Sequence, residues 1–123
     1  MDVLIVERDE LIAEVLSDAL SADGISVAIA QNEEKAMRTC RDGSPRVVIT
    51  GINRRFEDLK GLYFARAMRV RCPWLAVVFM AALWPVRLHQ CALSIRERFL
   101  TKPVAMLKLV RTVRELLATP RPA

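Results

Sequence analysis

Apolar positions in this chain fall into short continuous runs, separated by longer stretches in which they recur at helical spacing. Residues 3–6 (VLIV) make a continuous apolar run of strand length, followed at once by acids. Asp9 can cap a helix whose apolar residues Ile12, Val15, Leu16, Ala19 and Leu20 share one face, and Gly24 ends it. Residues 26–30 (SVAIA) are β-branched enough for a second strand. Asn32 can cap a short helix with Ala36, Met37 and Cys40 inward, stopped by Gly43 and Pro45. Residues 47–50 (VVIT) form the third strand and run straight into Gly51. Helical spacing returns over 61–70 through Leu62, Ala65 and Met68, with Cys72-Pro73 ending that helix. The most apolar strand is 75–80 (LAVVFM), followed by a weaker helical pattern over 86–94 and a short fifth strand, 98–101 (RFLT). Pro103 opens a last helix with Leu107, Val110, Val113 and Leu117 inward and Pro120 beyond its end.

Five apolar strands alternating with five helices imply an α/β fold, a parallel sheet covered on both faces. Right-handed crossovers leave few topologies, and the flavodoxin-like order 2-1-3-4-5 is the one expected. Residues 1–118 read as a single domain with 119–123 as a short tail, since a chain of 123 residues holds one core. In such sheets ligands bind at the carboxyl ends of the strands, near the switch point. That rule directs attention to Glu7, Arg8, Asp9, Gly51, Asn53, Ala81, Ala82 and Lys102.

Composition narrows the picture further. Hydrophobic residues make up 53%, enough for a sizeable core. The longest uncharged apolar stretch, 74–86, falls short of the roughly 18–20 residues that span a bilayer, so no membrane is expected. The N-terminal MDVLIVERDE lacks the basic region and cleavage site of a signal peptide. Cys40, Cys72 and Cys91 match neither a disulfide framework nor a paired metal motif, so reduced, mostly buried thiols in a cytoplasmic protein are expected. His89 is the single histidine and has no second ligand at metal spacing. No cofactor is indicated.

Charge is unevenly distributed. Residues 1–58 hold seven Lys/Arg against twelve Asp/Glu, whereas 59–123 hold twelve Lys/Arg against only Glu97 and Glu115. Such polarity suits either an acidic partner or a solvated basic surface. A nucleic-acid-binding module is a weaker reading, because neither a helix-turn-helix pattern nor an aromatic stacking set accompanies the charge.

The succession LIVERDE, VVITGIN, VVFMAA and FLTKP resembles the receiver domain of two-component response regulators, over essentially residues 2–118. The resemblance implies a CheY-like fold and a role in phosphorelay signal transduction. It also implies a pocket in which two adjacent acids after the first strand bind magnesium and an aspartate ending the third strand accepts the phosphoryl group. A Thr or Ser after the fourth strand and a Lys-Pro pair after the fifth complete that pocket. Carried over, the acid pair falls on Glu7 and Arg8, the acceptor on Gly51, the hydroxyl on Ala81 and the lysine on Lys102, while Phe99 takes the place of a switching aromatic. Only Lys102, and more loosely Glu7, keep the family's residue type.

The departures are chemical. Phosphoryl transfer to a side chain needs an in-line nucleophilic oxygen, a divalent ion and charge-stabilising donors. Gly51 offers no side-chain oxygen, Ala81 no hydroxyl, and Arg8 sets a cation among the acids. A phosphate-cradling loop would need further glycines, and GINRR supplies one. The expectation is therefore a non-enzymatic pseudo-receiver that acts through its surface. A relocated acceptor at Asp58 or Asp9 is the alternative.

The resemblance implies an output face over 86–118, carrying Arg87, Arg96, Arg98, Lys102, Lys108, Arg111 and Arg114 against two glutamates. Its expected occupant is a protein partner, namely a signalling kinase, a regulator, an output protein or a second copy of the chain. Trp84, followed by Pro85, is either an edge packing residue or a cover over the emptied pocket, and Arg54-Arg55 are a solvated loop pair or an anion site. The family's cis peptide before Pro103 should aim Lys102 inward. With Gly51 opposite it, Lys102 is expected to pair with Glu7 or Asp9, directly or through one water.

Overall fold

In the computed structural model, which describes residues 1–43, 45–51, 60–81 and 96–119, every apolar run of the sequence enters one sheet. The strands are β1 (Val3–Val6), β2 (Val27–Ala30), β3 (Val47–Gly51), β4 (Ala76–Ala81) and β5 (Glu97–Thr101). They alternate with helices α1 (Glu10–Ala22), α2 (Glu33–Gly43) and α3 (Lys60–Arg71), and α4 (Met106–Ala118) follows β5. The sheet order is β2-β1-β3-β4-β5, and every pairing is parallel. This is the expected flavodoxin-like topology. The helix expected over 86–94 lies outside the described residues.

Strand periodicity divides the core between the two faces. Leu4, Val6, Val48, Val77 and Phe79 meet α2 and α3 through Ala36, Cys40, Ala65 and Met68. Val3, Ile5, Val47, Ile49 and Val78 meet α1 and α4 through Leu16, Leu20, Leu109, Val113 and Leu116. Because both faces are covered, β1 and β4 are buried along their whole length, and their sequences read as unbroken apolar runs.

Local signals set the helix ends. Asp9 Oδ1 accepts the backbone N–H groups of Leu11 (3.0 Å) and Ile12 (3.2 Å), satisfying two donors that a helix start leaves open. Asn32 Oδ1 does the same for Lys35 at 2.8 Å. Gly24 ends α1 at φ +80°, a backbone region costly for residues that carry a Cβ.

Several expected details shift. The second and fourth strands start one residue later, β4 extends to Ala81, and the fifth begins at Glu97. Pro103 does not open the last helix; it follows a cis peptide in the turn after β5, and α4 begins beyond an Ala105 that makes no side-chain capping bond. The buried stripe of α4 is Leu109, Thr112, Val113 and Leu116, so Leu107, expected inward, is 71% exposed. In α1 the sheet takes Ala13, Leu16 and Leu20, leaving Ile12 and Val15 exposed beside Leu11. Both helices carry more apolar residues than one face can bury, and docking against the sheet selects among overlapping stripes.

Candidate functional site

The carboxyl ends of the parallel strands converge on one edge of the sheet, where β1 delivers Glu7, β3 Gly51, β4 Ala81 and β5 Lys102. Register fixes this convergence: Val6 lies beside Thr50, Gly51 beside Met80, and Ala81 beside Thr101. The backbone N–H of Lys102 donates to the Ala81 carbonyl at 2.7 Å, extending the ladder one residue past the strand.

The acids there are occupied by their own backbone. Glu7 Oε1 accepts the Asp9 N–H at 3.1 Å, and Asp9 Oδ1 caps α1. Arg8 is exposed and lines an open depression of about 360 Å³ with Glu10, Gln31 and Asn32. Gly51 is half-buried, and its backbone needs no glycine. Its φ lies outside the left-handed region, and a Cβ built there would approach nothing nearer than the Met80 carbonyl at 3.7 Å. A side chain fits at this position, and the sequence supplies none. Ala81 is 1% exposed, a methyl group sealed into the core.

Lys102 is half-buried, and the cis peptide joins it to Pro103 as expected. No direct ion pair joins it to Glu7 or Asp9. The ion pairs among the described residues are Arg66–Glu97, Arg69–Glu97 and Arg114–Asp23. Glu7 and Asp9 each direct one oxygen to backbone donors within the β1–α1 turn instead. Phe99 sits beside Phe79 and packs, half-buried, against the α2–α3 side of the core. Asn53, Trp84 and Arg87, with Arg54, Arg55, Asp58, Ala82, His89 and Cys91, lie outside the described residues.

The described residues expected to form one basic face lie on and beside β5 and along α4. Lys108 and Arg111 are exposed on α4. Arg114 pairs instead with Asp23 at the carboxyl end of α1 and also donates to its backbone carbonyl. Arg96 lies at the opposite, amino end of β5, part-buried, and donates to Thr119 Oγ1 at 2.8 Å. Burial, and then the guanidinium groups of Arg69, Arg46 and Arg98, push Arg96 below the ordinary arginine range. Arg98 Nη1 donates to the Glu97 carbonyl at 3.2 Å.

Sequence reasoning passed over Glu97. Its side chain is 1% exposed, and Arg66 and Arg69, three residues apart on α3, reach its Oε2 at 3.5 and 3.8 Å. An acid abutting a strand, with two arginines at one helical turn elsewhere, was the available signal. Cys40 and Cys72 also come together, their sulfurs 2.9 Å apart in the core.

Comparison with known proteins agrees with this architecture. The chain is similar to a response regulator from Thermotoga maritima (TM-score 0.79, 22% identity, covering 96% of this chain and 98% of that one). It is also similar to a CheY-like receiver domain protein from Methanospirillum hungatei JF-1 (TM-score 0.81, 18% identity, 94% and 92% covered). In sequence it is 28% identical over 116 residues to the probable transcriptional regulatory protein TcrX of Mycobacterium tuberculosis. That match covers 94% of this chain and 49% of TcrX, so the chain spans about half the length of this relative. Residues 3–114 match the family described as the response regulator receiver domain, and the chain belongs to that family.

Proposed function

We propose that this receiver domain works in two-component signalling without phosphorylation at the end of β3, and that it acts by protein–protein contact. The observation that carries this reading is Gly51. At the position where the family's resemblance puts the acceptor aspartate, the backbone has room for a side chain and the sequence omits it. No oxygen stands there to attack a phosphoryl group, and the sealed methyl of Ala81 cannot donate to one.

The donor set does not suit the family's magnesium either. That ion demands octahedral oxygen ligands held by one or two carboxylates. Here Glu7 and Asp9 each spend an oxygen on backbone N–H groups, Gly51 offers only its carbonyl, and Arg8 adds a cation to the same turn. Engagement of Asp9 in capping α1 also weighs against its service as a relocated acceptor. On the contact side, Lys108, Arg111 and the exposed Leu107 give α4 a mixed basic and apolar outer face suited to an acidic protein partner.

Intact mass after incubation with acetyl phosphate and magnesium tests the first half. The mass is expected to stay unchanged, and a stoichiometric gain of one phosphoryl group overturns the reading wherever the group sits. Gly51→Asp alone is expected to label only partially, because Arg8 and Ala81 remain; full labelling of that variant would show that the acceptor was the sole missing part. Reversing Lys108 and Arg111 to Glu is expected to abolish partner association at unchanged Tm.

A further inference from the structure

Cys40 lies in the last turns of α2, and Cys72 is the residue directly after α3. Both side chains belong to the core layer between these helices and the sheet, and they are 3% and 4% exposed. Their sulfurs stand 2.9 Å apart, within S–H···S distance and less than about 1 Å beyond an S–S bond of roughly 2.05 Å. Two thiols brought this close from positions 32 residues apart in the chain are held by the packing of α2 on α3. This site shares no residue with the strand-end pocket.

We propose that Cys40 and Cys72 are an oxidation site, which hydrogen peroxide converts to an intramolecular disulfide that staples α2 to α3. The step balances with two thiols and one peroxide giving one disulfide and two waters. The sulfur of Cys72 attacks one peroxide oxygen; the O–O bond breaks, and the leaving hydroxide takes the thiol proton, giving water and a sulfenic acid on Cys72. The sulfur of Cys40 then attacks the Cys72 sulfur, the S–O bond breaks, and the second hydroxide leaves with the Cys40 proton as water. Two electrons pass from the thiols to the peroxide oxygens. Burial, reinforced by the hydrogen bond to Cys72 and by its proximity, pushes the Cys40 thiol up to about 12. The two sulfurs face each other across one contact, so either can make the first attack, and exchanging their roles leaves the balance unchanged. Both cysteines sit at helix ends, where local opening costs least and admits a small oxidant.

The crosslink would enclose the chain from 40 to 72, including β3 and Gly51, and would restrict the unfolded state. The test exposes the reduced 123-residue chain to a small excess of hydrogen peroxide and reads intact mass, a non-reducing peptide map and Tm. The expected product has lost two hydrogens, joins the Cys40 and Cys72 peptides, melts roughly 5–10 °C higher and reverts with dithiothreitol. Cys72→Ser should lose both the crosslink and the Tm shift; if it does not fold, the wild-type peptide map decides alone. An unchanged protein, added oxygen atoms without a crosslink, or pairing through Cys91 overturns the proposal. A Cys40–Cys72 crosslink that leaves Tm unmoved overturns the staple. None of these outcomes depends on whether Gly51 marks a vacated acceptor position.

Discussion

At the amino ends of the strands, charged side chains reach across elements. Arg46 donates to the backbone carbonyls of Leu117 (2.6 Å) and Thr119 (3.2 Å), tying the start of β3 to the end of α4. Arg96 joins the same helix end through Thr119 Oγ1, and Glu97 draws in two arginines of α3. At the carboxyl ends the polar bonds of Glu7 and Asp9 span two or three residues of chain, and Lys102 makes no ion pair among the described residues. Among the described residues, the amino end thus carries the tertiary links of Arg46, Arg96 and Glu97, while at the other end Glu7 and Asp9 bond within their own turn and Gln31 Nε2 reaches Glu10 Oε1 at 3.5 Å. The links at the amino end close the helix layers onto the sheet.

The comparison makes graded predictions. Glu97→Ala should have the largest effect, about 2 kcal/mol of stability, because it removes a buried carboxylate that meets two arginines of α3. That figure lies below the range for fully buried pairs because Arg66 and Arg69 keep part of their hydration. Urea denaturation would read it, with Glu7→Gln as the counterpart at the other end, expected within about 0.5 kcal/mol of wild type. Equal losses would erase the contrast between the two ends. Asp9→Ala comes next, at about 1 kcal/mol for a lost helix cap. A much larger loss would mean that Asp9 holds more than its own helix. Smallest are Lys102→Met and Arg114→Ala, each within about 0.5 kcal/mol, since the first breaks no ion pair and the second removes an exposed one. A Lys102→Met loss approaching that of Glu97→Ala would show the lysine to be tied into the strand ends.

The place of Gly51 at the carboxyl edge of the sheet was legible in the residues alone. Strand order and the convergence of strand ends follow from parallel topology, so the residue after VVIT had to stand at that edge. The pairing of Lys102 was not legible. Three carboxylates lie within the short run from Glu7 to Glu10, and only folded geometry shows that the Asp9 N–H takes one oxygen of Glu7 and the first turn of α1 takes one of Asp9. The placement of the basic residues within 86–118 was not legible for a related reason. Arg96 stands where β5 begins, Lys102 where it ends and Arg111 midway along α4, an arrangement that a count of charges ignores.

Period and punctuation in the sequence determined the parallel sheet, the caps at Asp9 and Asn32, the break at Gly24 and the missing oxygen at Gly51, because each depends on a residue and its near neighbours. Tertiary structure alone decided which of two overlapping stripes α1 and α4 would bury, that Glu97 would enter the core with two arginines, and that Cys40 would meet Cys72. Those outcomes depend on how one helix docks against a sheet or another helix, where a rotation of one residue changes every partner.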